Sequence, residues 1–176
     1  MDTGLQDLQG KAERVKPSEL LALLLEFHAE KAELYGRHVA VARVASDYDV
    51  NNAYQYVIAR EQQHLEWLRE AILDAGGEVP AVAEPEEPGR PRDADALGEL
   101  VRADAGSLRT AVDKWRPRLS GITHARHRRM LELTLGEMLE QARFFDQAAS
   151  GRLDLLGRRT GGPRTPGVVV ASRWPA

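Results

Sequence analysis

Carboxylates stand in the middle of apolar helical faces in this sequence. In the stretch VIAREQQHLEWL, Val57, Ile58, Leu65 and Leu68, followed by Ile72, recur at the intervals that share one face of an α-helix. Glu61 lies at the centre of that face, and His64 lies one turn along at its edge. The pattern repeats downstream. Asp104 interrupts the stripe Leu97, Leu100, Val101, Leu108, Ala111 and Trp115. Glu137 interrupts Met130, Leu133, Phe144 and Ala148, with Glu140 one turn on at the edge. Upstream, Glu30 falls within Leu20, Leu23, Phe27, Leu34, Val41 and Ala45, with Glu33 further toward the polar side. An isolated carboxylate on an apolar face snorkels to water or pairs with an arginine. Four on four segments point to a shared divalent cation, because several carboxylates around one metal satisfy charges that otherwise repel.

Four long helical patterns position these residues. The first opens at KPSELL, with Ser18 as N-cap, and runs to about Ser46; the second runs from about Val50 to Ala75 and stops at Gly76-Gly77 with Pro80 beyond. The third covers about Ala94 to Trp115, and the fourth runs from near Thr123 to near Gly151. DYD makes the turn inside the first pair, and the Pro- and acid-rich EVPAVAEPEEPGRPRDADA separates the pairs. Two hairpins joined by a long crossover form an all-α, up-down-down-up four-helix bundle. In such hairpins Glu30 and Glu33 lie opposite His64, and Asp104 lies opposite Glu137. The expected division is a lead-in over 1–17, a bundle over 18–157 and a mobile Gly/Pro-rich tail over 158–176, with a docking peptide for another protein as the tail's alternative role.

Composition narrows the function. The 176 residues suffice for one domain with a core, and a net charge of −3 gives no electrostatic footprint for nucleic acid. There is no cysteine, which removes disulfides, thiol nucleophiles and iron–sulfur clusters. The first twenty residues lack a signal-peptide pattern, and LLALLL is too short to span a bilayer, so a soluble cytoplasmic protein is expected. A second apolar strip on the first helix, Leu21, Leu25, His28, Ala32, Tyr35 and Val39, calls for a partner surface. HARHRR, at 124–129, reads as a solvated basic helix start.

EQQH followed by LEWLREAILDAGGEVP resembles the second helix of the ferritin-like superfamily, which includes ferritins, bacterioferritins and rubrerythrins. The resemblance covers about 18–151. It implies a di-iron or di-manganese centre held by Glu30 (alternatively Glu33), Glu61, His64, Asp104, Glu137 and Glu140, with Glu61 and Glu137 bridging and His64 as a terminal ligand. It further implies oxidase- or oxygenase-type chemistry on Fe²⁺ or a small molecule, and a homodimer through the first two helices. Three positions depart from the family pattern: Asp104 stands for Glu, Glu140 for His, and Arg37 for a tyrosine. The resulting oxygen-rich second position suits Mn, Mg or Ca. The alternative is a non-enzymatic bundle with a degenerate site, serving as a structural or protein-interaction module.

Overall fold

The computed structural model describes residues 17–152, apart from 83 and 87. The expected tail, and all of the expected lead-in but Pro17, which begins α1, lie outside the described residues. Among those described there are four α-helices and one 3₁₀ segment, and no strand: α1 (Pro17–Val44), α2 (Tyr48–Asp74), α3 (Ala94–Trp115), the 3₁₀ turn Arg116–Gly121, and α4 (Ala125–Ala149).

Local chemistry explains the boundaries. Ser18 lies inside α1, which already contains Pro17; the fixed φ of proline suits a first helical turn. Asp47 caps α2 by accepting from the Val50 amide at 2.9 Å, so most of DYD belongs to the cap and first turn rather than to a separate turn. Asp93 caps α3 in the same way through the Ala96 amide. At the end of α2, Gly76 adopts φ 79°, and the Gly77 and Gly76 amides donate to Ile72 and Leu73. Gly151 closes α4 identically, with Arg152 and Gly151 donating to Gln147 and Ala148. This pair of bonds needs a left-handed residue, which glycine adopts without steric cost.

Helices α1 and α2 pack together, as do α3 and α4; α2 also meets α4, and α1 meets α3. The core joins Leu24 and Phe27 to Tyr54, Val57, Leu68, Ile72, Leu108, Trp115, Leu131 and Phe145. Burying each large apolar side chain contributes about 1.5–3 kcal/mol. Phe27 and Trp115 meet edge to face at 4.8 Å, which ties α1 to α3. Leu119 and Ile122, beyond α3, are buried and close that end of the core.

Two faces differ from the periodicity reading. On α4 the buried stripe is Leu131, Leu135, Met138, Gln141, Ala142 and Phe145, while Leu133 is exposed. The helix carries two apolar stripes about one residue apart, and packing selects the second. On α1 the second strip is partly covered within the chain: Pro85 lies against Gly36, and His28 and Ala32 are buried.

Candidate functional site: carboxylates held by internal cations

Glu61 sits in the interior with no exposed side-chain surface, and so does the ammonium group of Lys31, 1% exposed, which forms an ion pair with Glu61 Oε1. His38 Nδ1 donates to Glu61 Oε2 at 2.8 Å. Burial pushes the Glu61 carboxyl up, but the positive charges of His38 and Lys31 and their hydrogen bonds outweigh it and bring it down to about 2. Lys31 and His38 project from α1 at positions that continue Leu24, Phe27, Leu34 and Val41 at intervals of three and four.

The same solution recurs at each level. Asp104, fully buried on α3, accepts from Arg37 Nε of α1 and from the Tyr54 hydroxyl of α2. Burial first, and then the Asp104 charge, push the Tyr54 phenol up, so it stays protonated and donates. Glu137 of α4, 24% exposed, accepts from Arg60 Nε at 3.0 Å and from His64 Nε2 at 2.8 Å, both on α2. Burial opposes ionisation of Glu137, but the hydrogen bonds from Arg60 and His64 prevail and lower its pKa. His64 itself is brought down to about 4, by burial first and the Lys31 charge second, so it is neutral near pH 7 and uses its Nε2–H on Glu137.

The remaining expected ligands lie elsewhere. Glu30 accepts from Lys114 and from Trp115 Nε1, the latter at 3.0 Å. Glu33 is exposed, and Glu140 is 61% exposed beside Arg143. Of the six residues expected together, contact is seen between His64 and Glu137, with Glu61 one turn from His64 on α2. Among the described residues no three of His, Asp and Glu group so that they could hold a metal ion. The donors as arranged do not fit a two-metal centre: the lone pairs of Glu61, Asp104 and Glu137 face ammonium, guanidinium, imidazole and phenol donors.

Lys31, His38, Arg37, Tyr54 and Arg60 are the partners that the acidic pattern alone did not reveal. Lys31 and His38 were legible as the missing members of the α1 stripe. Tyr54 stands on the α2 stripe with Val57, Glu61 and Leu68 in the same way, whereas Arg37 and Arg60 left no comparable signal, because a guanidinium at a helix edge is indistinguishable from a solvated one until a facing helix is known. Chemically, the arrangement fixes charge. Glu61 and Glu137 are held ionised by their neighbours, and each of the three acids fixes the side chains that donate to it.

No family model, no curated protein and no solved structure matches this chain. The class that the described residues define is therefore a physical one: an all-α protein whose internal carboxylates are compensated by its own basic side chains.

Proposed function

We propose that this chain is a non-enzymatic, ferritin-like helical bundle, acting through its surfaces as a structural or protein-interaction module. The observation that carries this reading is the buried Lys31–Glu61 ion pair. A lysine ammonium supplies, at the central carboxylate, the positive charge that a metal would otherwise bring.

The up-down-down-up topology and the long crossover belong to the same proposal. Their support is the order of cross-helix contacts. Asn51 bonds Ala42 and Gln62 bonds Tyr35 between α1 and α2. Arg37 bonds Asp104 and Glu30 bonds Lys114 between α1 and α3. Tyr56 meets Phe144 and Asp74 meets Arg126 between α2 and α4. In each pair, rising numbers on one helix meet falling numbers on the other. Homodimerisation through α1 and α2 is also proposed, on the half-buried Leu21, Leu25, Tyr35 and Val39.

One contact favours the competing metal-carboxylate oxidoreductase. His64 and Glu137 bring an imidazole and a carboxylate from facing helices to 2.8 Å. That reading requires Lys31 and Arg60 to leave their acids. Oxygen consumption after aerobic addition of Fe²⁺ or Mn²⁺ separates the two. The bundle reading expects the rate of buffer alone. Consumption that depends on the chain and disappears in Glu61→Ala would establish the oxidoreductase instead.

A further inference from the structure

A cavity of about 740 Å³ lies between α1 and residues 80–82, 84–86 and 88, which follow α2, with Leu100 of α3 at one side. The volume is in the range of small-molecule sites. Its floor is apolar, built by Ala32, Gly36, Ala40 and Val41. Two features give it chemical character. His28 lines it, is 3% exposed, and has a buried Nδ1 with no hydrogen-bond partner among the described residues. The charges around it are unbalanced. Arg37, the basic side chain of the lining, is already paired with Asp104, whereas Glu33, Glu84 and Glu86 have no ion-pair partner among the described residues.

We propose that this cavity binds a small amphiphilic amine: an apolar body on the α1 floor, an ammonium group among Glu33, Glu84 and Glu86, and a hydroxyl meeting the His28 imidazole. Each part of the ligand answers one property of the lining. The small residues of α1 leave room for the body, and the apolar area displaced from water drives entry. Three uncompensated carboxylates select positive charge and reject negative charge. Burial lowers the His28 pKa, so the imidazole is neutral near pH 7, does not repel the ammonium, and can present an unprotonated nitrogen. The proposal uses the Arg37–Asp104 pair and does not depend on the Lys31–Glu61 pair.

Calorimetric titration of the full chain at pH 7.5 tests it with probes that share one body: 4-phenylbutylamine, 4-phenylbutanol, 4-phenylbutyrate and 4-(4-aminobutyl)phenol. The amine should bind about tenfold more tightly than the alcohol, and the carboxylate more weakly than both. The aminobutylphenol should gain a further factor of about three to ten from its hydroxyl, lost in His28→Leu. Glu33→Gln, Glu84→Gln and Glu86→Gln together replace exposed side chains, so the fold should survive, and the amine should then bind no better than the alcohol. Equal affinity for amine, alcohol and carboxylate, absence of binding by every probe, or an unchanged amine preference in the triple variant would overturn the proposal.

Discussion

Replacing Lys31 by methionine removes the ammonium group and keeps the length of the side chain. Glu61 then has only His38 against it, in a position with no solvent contact. Breaking a buried ion pair from one side costs about 3–5 kcal/mol, because the remaining charge is left uncompensated. His38 keeps part of the compensation, so the expected loss at pH 7 is about 3 kcal/mol, or about 6–12 °C in melting temperature for a chain of this size. The pH dependence identifies the cause. Without Lys31, burial dominates, and the Glu61 pKa rises above its unfolded value. A carboxyl raised in this way adds stability at low pH and loses it as pH rises, so the deficit of Lys31→Met should be widest at pH 7 and narrow toward pH 5. Adding Glu61→Gln, whose amide oxygen still accepts from His38, should return stability to within about 1.5 kcal/mol of wild type. Urea unfolding followed by helical circular dichroism at pH 7 and pH 5 measures all of this. A Lys31→Met loss below about 0.5 kcal/mol, or an equal loss at both pH values, would refute the reasoning.

Three further outcomes are expected. Wild-type stability should fall on acidification in two windows. Neutral His64, with its folded pKa near 4, destabilises the fold relative to the unfolded chain as pH drops below about 6.5, and Glu61, held near 2, adds a second loss below about 4.5; His64→Phe should flatten the first window in pH-dependent melts and leave the second. Tyr54→Phe removes the phenol donor to Asp104 while Arg37 remains, and should cost about 1–3 kcal/mol by chemical denaturation. Glu33→Ala and Glu140→Ala, at exposed positions, should each change stability by less than about 0.5 kcal/mol.

How much was legible in the sequence depended on the kind of residue. Four helices were readable from periodicity, and the ends at Gly76 and Gly151 follow from the left-handed conformation that these two glycines adopt. That Glu61 and Asp104 face inward was readable too, because each sits in the middle of an apolar stripe, and both are buried, as is His64, read at the edge of its stripe. Which stripe of α4 is buried was not, since its two stripes differ by one residue and packing against α2 and α3 decides. The compensating charges were only half legible. Lys31 and His38 occupy α1 stripe positions at the same spacing as the acids, yet Glu30 fills the gap between Phe27 and Leu34 equally well. One residue along a helix is a rotation of about 100°, enough to exchange a buried lysine for a half-buried glutamate. Pairings such as Arg37 with Asp104 depend on which helices become neighbours, a property that no single helix encodes.

The central claim is that these carboxylates are satisfied by the protein's own cations. Metal content tests it most directly. The full chain, expressed with Fe and Mn supplements and purified without chelators, should carry far less than one metal ion per molecule by elemental analysis. Its melting temperature should be unchanged by EDTA and by added Fe²⁺ or Mn²⁺. Stoichiometric Fe or Mn that is lost in Glu61→Ala, together with a melting temperature that falls in EDTA, would contradict the account and place a metal where Lys31 is described.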